Sequence, residues 1–285
     1  MLYVNSNNTL LPNNGRTIHT GNRAYLYGDG VFESIRIING KPINLENHIM
    51  RMLEGARKIK MRPPSFYSVE FFEKIINELI KESQLYSGGK CRISLDRLSG
   101  GTYRPESNEI EFFIEVYPLD NSQYILNEKG IEIDIYNEFR KEKTPLSNFK
   151  TKNGLIYIMA SISAQENGLG DYLLTDTKGG ILEGTSSNLF IVSNGVLYTP
   201  GLDSGCLAGT MRMQIINLAI KYGIKVYECN ILPQNLLAAD ELFLTNAIDG
   251  ITWVRGYRTK RYFNNVSKKL MNYLNQEWTN LPEKS

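Results

Sequence analysis

The chain has 285 residues, 42% of them hydrophobic, which is enough to bury a large core and long enough for two domains. A formal net charge of +2, with lysines scattered among glutamates, makes no basic face for nucleic acid, and no nucleic-acid motif occurs. Two histidines, His19 and His48, argue against a zinc site and a His-based hydrolase set, so no metal is expected. Cys91, Cys206 and Cys229 lack CxxC or metal-ligand spacing and read as reduced thiols of a cytoplasmic protein. No apolar run suits a membrane span, and residues 1–20, polar and rich in asparagine, do not read as a signal peptide.

Residues 30–38 read as a strand, followed by an Asn39-Gly40 turn, a short strand at 42–45 and helices over 46–60 and 69–84. In the first helix Ile49, Leu53, Ala56 and Ile59 form the apolar set, so pattern alone makes Arg51 a flanking charge. Alternating strands at 91–95 and 110–116 flank a polar loop, 99–108, and residues 118–123 look like a linker. The expected division is a small N-terminal α/β domain over 1–117, a linker at 118–124 and a C-terminal domain over 125–285. That second part opens with alternation at 131–135, followed by an irregular Lys/Glu/Pro segment and a helix running to about residue 166.

Apolar runs at 189–192 and 196–198 around Ser193-Asn194-Gly195 read as a hairpin with an Asn-Gly turn, and Glu183 falls near the start of that strand region. A helix follows over 211–222, with Thr210 as a plausible N-cap and Gly223 just past its end. Gly209, small and just before the helix start, would let a phosphate approach backbone N–H groups that the helix dipole makes favourable for anions. Strands near Leu242 and Ile251 and a helix over 266–277 complete an α+β (mixed α/β) chain.

Four stretches carry a family resemblance. They are Arg23 to Arg36 with its Gly28-Asp29-Gly30, Lys150-Thr-Lys-Asn153-Gly-Leu155 with Ala160 later in the helix, Glu183-Gly-Thr-Ser-Ser-Asn188, and Leu207-Ala-Gly209-Thr-Met-Arg212. Together they resemble the class IV aminotransferases, the fold-type IV pyridoxal-phosphate enzymes that include branched-chain and D-amino acid aminotransferases and 4-amino-4-deoxychorismate lyase. The resemblance spans roughly residues 2–275. It implies a two-domain fold whose larger C-terminal domain has a β-barrel-like core, and a homodimer with pyridoxal 5'-phosphate between the domains and a partner loop at the substrate pocket.

By the same resemblance Lys150 is the Schiff-base lysine, with Lys152 as its decoy, and Glu183 is the partner of the pyridine nitrogen. Arg51 clamps the phosphate, a role suited to a planar fork of permanent donors. Ser187, Asn188, Gly209, Thr210, Met211, Asn246 and Ala247 complete the cofactor set, and Phe32 with Arg97 or Arg104 would meet the substrate. Lys150, released by an incoming amine, would act as general base and acid.

Substrates are then an amino acid and a 2-oxo acid, or 4-amino-4-deoxychorismate. D-amino acid aminotransferases have a tyrosine where this chain has Phe32, and an Arg-x-His trap where it reads Arg97 to Arg104 without histidine. Branched-chain enzymes carry Gly-Thr-Ala-Ala in place of Asn246-Ala-Ile-Asp249, and a Phe-Glu-Gly turn in place of Phe32-Glu33-Ser34. Thr245 to Ile251 instead resembles the lyases, so transaminase and lyase both stand. A non-catalytic cofactor-binding protein is the remote third reading, opposed by the intact lysine and glutamate.

Overall fold

Alternating apolar residues shape three long strands within the first 118 residues around which a sheet forms. The computed structural model describes residues 1–14 and 18–279. In it the chain divides into two compact units, one holding residues 1–123 and 149–153, the other 124–148 and 154–285.

The first unit contains β1 (Tyr3–Ser6), β2 (Thr9–Pro12), α1 (Arg23–Tyr27), β3 (Gly30–Ile38), β4 (Lys41–Pro42), α2 (Leu45–Lys58), α3 (Val69–Glu82), β5 (Gly88–Arg97) and β6 (Ile110–Pro118). Its strands form one antiparallel sheet in the order β2-β1-β6-β5-β3-β4. Asn39 and Gly40 both have positive φ, the two-residue turn whose twist matches a hairpin. The helices cover one face, where Ile35, Ile49, Leu53, Phe72, Ile76, Ile93 and Phe112 share a core. Ahead of β3 the chain forms the short helix α1, capped by Asn22 and ended by Gly28 at φ +66°.

Strand β4 pairs only with Ile37 and Ile38, so the start of β3 keeps an open edge. Residues 150–152 take that edge. Phe32 N donates to Lys150 O (2.9 Å), Lys152 N donates to Gly30 O (3.0 Å), and Thr151 bridges Val31. Phe149 packs where a Cβ on Gly55 would lie 3.3 Å from its ring. These long-range bonds are what return 149–153 to the first unit, and a contiguous boundary at 118–124 cannot express them.

The second unit contains β7 (Ile131–Ile135), α4 (Leu155–Glu166), β8 (Asp171–Thr175), β9 (Ile181–Glu183), β10 (Asn188–Ser193), β11 (Val196–Pro200), α5 (Thr210–Lys221), β12 (Val226–Cys229), α6 (Pro233–Ala238), β13 (Glu241–Asn246), β14 (Gly250–Tyr257), β15 (Lys260–Arg261) and α7 (Asn265–Thr279). Strands β10-β13-β14-β7-β8-β9 pair in series, and the β9–β10 pairing closes them into a six-stranded barrel that leaves no free edge within the ring. Ile133, Leu173, Leu189, Ile191, Leu242, Leu244 and Val254 form its core. Strands β11 and β12 extend the sheet from β10, while α5 and α7 lie against β13. The barrel-like core implied by the family resemblance is therefore present.

Candidate active site

Each unit carries its own set of functional side chains. In the first, Lys150 lies in the extended segment on the β3 edge, five residues before α4 begins at Leu155. Its Nζ sits 4.5 Å from the centre of the Phe32 ring, and the Arg92 guanidinium lies 4.0 Å from the same ring. Lys152 is committed elsewhere: its Nζ is 2.5 Å from Oδ1 of Asp96, which is fully buried. Breaking a buried pair of this kind costs about 3–5 kcal/mol, so Lys152 serves as the anchor of the segment.

Behind Phe32 lies a buried polar cluster. Glu33 accepts from Arg51 Nε (2.7 Å) and Nη2 (2.5 Å) and is 2.7 Å from His48 Nδ1. Burial pushes the Glu33 carboxyl up, but Arg51 and then His48 outweigh it and hold the group at about 2. Burial pushes His48 below its ordinary range, against the opposing pull of Glu33. Glu33 thereby fixes the plane of Arg51, the side chain expected to clamp phosphate.

Two first-unit arginines were expected to hold a substrate carboxylate, and they differ sharply. Arg97 is buried and committed: Nε donates to Asp29 (2.9 Å), Nη1 to Asn108 Oδ1 (2.5 Å) and Nη2 to Ile59 O (2.6 Å). The structure speaks against the expectation for Arg97, because its nitrogens already tie β5 to Asp29 ahead of β3, to the end of α2 and to the following loop. Arg104 is exposed on that loop. A cleft of about 270 Å³ lies alongside, lined by Arg23, Tyr27, Arg97, Tyr103, Thr151 and Asn153 among others.

In the second unit the central group is Glu183, at the end of β9 and only 2% exposed. Its Oε1 accepts from Lys141 Nζ (2.6 Å) and Tyr157 OH (2.9 Å), and its Oε2 from Leu207 N (2.7 Å). Asn188 stands opposite Glu183 in the β9–β10 pairing and donates from Nδ2 to Leu207 O (2.9 Å). Leu207 is thus gripped through both its N–H and its carbonyl. A Cβ on Gly209 would lie 1.8 Å from Asn188 Oδ1, so the close approach requires glycine there.

The helix start differs in detail from its expectation. Gly209 is the N-cap of α5 and Thr210 its first helical residue, so the N-cap assignment to Thr210 is corrected. No side chain caps this end, and a helix start of this kind, through its dipole, suits a phosphate. Thr210 and Met211 are both buried. Asn246 is a second correction: Oδ1 accepts from Ile248 N (2.9 Å) and Asp249 N (2.8 Å), and Nδ2 donates to Asp249 (2.8 Å). Its amide is spent on its own turn, beside Ala247, whose carbonyl accepts from Tyr124 OH (3.1 Å). Neighbouring Thr245 has a buried hydroxyl with no hydrogen-bond partner among the described residues.

Three contributors escaped the sequence reading. Asp171 accepts from Thr185 N (3.1 Å), Thr185 Oγ1 (2.7 Å) and Ser187 Oγ (3.3 Å), which shapes the loop between Glu183 and Asn188. Lys141 and Tyr157, the donors on Glu183, come from an irregular segment and from an apolar helix. The single tyrosine hydroxyl at 157 was the available signal, whereas Lys141 gave none.

Two variants test this geometry. In Gly209→Ala the added methyl must displace Asn188, so we expect a stability loss of about 1–3 kcal/mol by urea unfolding and weaker uptake of pyridoxal phosphate. Glu33→Gln probes the buried cluster. Because the folded pKa of Glu33 lies below its unfolded value, its contribution is complete above about pH 4.5 and fades as the pH falls toward 2. The gap in urea midpoint between parent and variant should therefore be widest near neutrality and narrow below about pH 4.5; a constant gap refutes the ionised assignment.

The family described as "Amino-transferase class IV" matches residues 30–257. A putative branched-chain-amino-acid aminotransferase from Methanocaldococcus jannaschii is 33% identical over 224 residues, 77% of this chain and 75% of the relative. The branched-chain aminotransferase of Thermoproteus uzoniensis, solved with norvaline, superposes with a TM-score of 0.88 at 25% identity, covering 96% of this chain and 93% of that one. A putative 4-amino-4-deoxychorismate lyase from Legionella pneumophila superposes at 0.81 with 27% identity, covering 93% and 97%. With a family match over most of its length and a relative one-third identical over three quarters of the chain, the chain belongs to the class IV aminotransferases, enzymes that use pyridoxal phosphate to move an amino group between an amino acid and a 2-oxo acid.

Proposed function

We propose that Lys150 is the residue that holds pyridoxal phosphate covalently and then moves the proton at the substrate's α-carbon. The observation that carries this is the partition of the two lysines: Asp96 claims Lys152, while the Lys150 ammonium stands over the Phe32 ring. Glu183 accepts a hydrogen bond from the ring nitrogen, a role that fits a carboxylate buried among three donors. The uncapped start of α5 at Gly209, Thr210 and Met211, together with Arg51, binds the phosphate. Ser187, Asn188 and the backbone at Asn246 and Ala247 complete its surroundings, and the unpartnered Thr245 hydroxyl fits a site that expects a polar guest. When bound, the cofactor supplies an electron sink for charge left on the α-carbon. Phe32 walls the substrate side, and Arg104, with its charge in solvent, receives the substrate carboxylate.

The same proposal makes the enzyme a homodimer. Leu155, Ile158, Met159 and Ile162 form a one-sided apolar stripe on α4, exposed by 76%, 53%, 42% and 45%. Such a stripe on a short helix is an expensive surface to leave in water, and a second copy of the chain would cover it. Cytoplasmic residence is part of this reading, supported by three unpaired thiols.

A second reading, the aminodeoxychorismate lyase, is favoured by the turn at Asn246 to Asp249 and by the Legionella likeness. There the same lysine would drive elimination.

Borohydride reduction of the yellow holoenzyme, followed by peptide mapping, should place the label on Lys150, and Lys150→Ala should lose both label and turnover. A label on Lys152 sinks the assignment. Spectra recorded while adding L-glutamate, L-branched-chain amino acids and D-alanine should show the visible band convert with one of them. A band unmoved by all, with pyruvate released from 4-amino-4-deoxychorismate, decides for the lyase.

A further inference from the structure

A carboxylate offers about four lone-pair positions, two on each oxygen. Lys141 and Tyr157 fill both positions on Glu183 Oε1, and Leu207 N–H fills one on Oε2, so among the described residues one acceptor position remains, on Oε2. That vacancy has a direction, because each of the three donors is itself held. Tyr157 projects from α4 and packs against the buried cluster of Tyr136, Ala160 and Leu174. Lys141 is fixed by its N–H to Thr175 O (2.8 Å), and its Nζ stands 5.5 Å from the centre of the Tyr157 ring. Leu207 is gripped by Asn188.

We propose that Tyr157 is a positioning residue for the reaction: by occupying Oε1 beside Lys141 it turns the Glu183 carboxylate so that Oε2 alone presents a lone pair to the cofactor's ring nitrogen. The proposal rests on Glu183 being the ring-nitrogen partner. Lys141 alone cannot do this work, since a single ammonium on Oε1 leaves a second position open and lets the carboxylate rotate about its last torsion, which has broad wells. Two donors of different origin, one from the helix and one from the segment after β7, define the plane.

The test compares reconstituted holoenzymes carrying pyridoxal phosphate labelled with nitrogen-15 in the ring. Tyr157→Phe keeps the packed ring and removes the donor. The pH midpoint of the ring-nitrogen resonance should fall by about one unit, and kcat by about tenfold with KM within about twofold, the scale of one hydrogen bond to a charged group. Melting temperature should fall modestly, since a buried carboxylate loses one of its donors, so the resonance and the split of kcat from KM carry the test. Should phenylalanine at 157 prevent folding, 4-fluorophenylalanine fills more of the hydroxyl's volume without donating and should give the same shift.

Glu183→Gln serves as the reference. An unmoved resonance in Tyr157→Phe together with a moved one in Glu183→Gln overturns the role of Tyr157 and leaves the assignment of Glu183 standing. A resonance unmoved in Glu183→Gln overturns that assignment and the inference with it.

Discussion

The pairing of residues 150–152 with the open start of β3 is the constraint on which the first unit's chemistry depends. Two backbone hydrogen bonds, Phe32 N to Lys150 O and Lys152 N to Gly30 O, fix the register. A one-residue slip in such a pairing would turn every side chain to the other face. The ion pair of Lys152 with buried Asp96 locks that register, since only one lysine of the segment can reach the carboxylate while the other stands over Phe32. The decoy lysine is therefore the anchor of the functional one.

The second unit solves a different problem, supplying donors to a carboxylate where water is excluded. A buried carboxylate without donors would take up a proton or carry a heavy desolvation cost. Glu183 has an ammonium, a phenol and a backbone N–H as donors, all drawn from its own unit. The backbone donor is Leu207, which also joins the carboxylate to the start of α5. Asn188 and the missing Cβ of Gly209 hold that junction closed, so the signature from 183 to 209 acts as one mechanical piece.

Polar residues on the signature do not all face outward. Arg97 and Asn246 have the chemistry of a substrate clamp and a phosphate ligand, yet Arg97 has committed its donors to Asp29, Ile59 and Asn108, and Asn246 has spent its amide inside its own turn. Residue type states what a side chain is able to bind, and the local hydrogen-bond count states what it has left to offer.

By itself the sequence determined the elements whose periodicity is long or whose turn chemistry is strong. Strand β3, the helices α2 and α3, the Asn194-Gly195 hairpin and α5 with Gly223 past its end are all legible, because a two-residue or 3.6-residue repeat writes burial directly into the chain. It also singled out Lys150, Glu183 and Gly209, through order and spacing along the motif. Short strands such as β1, β8, β9 and β12 were not legible, since three to five residues carry too little pattern to separate strand from loop. Tertiary structure alone decided the barrel closure by β9 and β10, the return of 149–153 to the first unit, and the donors on Glu183. Each of these joins residues far apart in the chain or in different elements, and hydrogen bonds at such separations leave no periodic trace in composition.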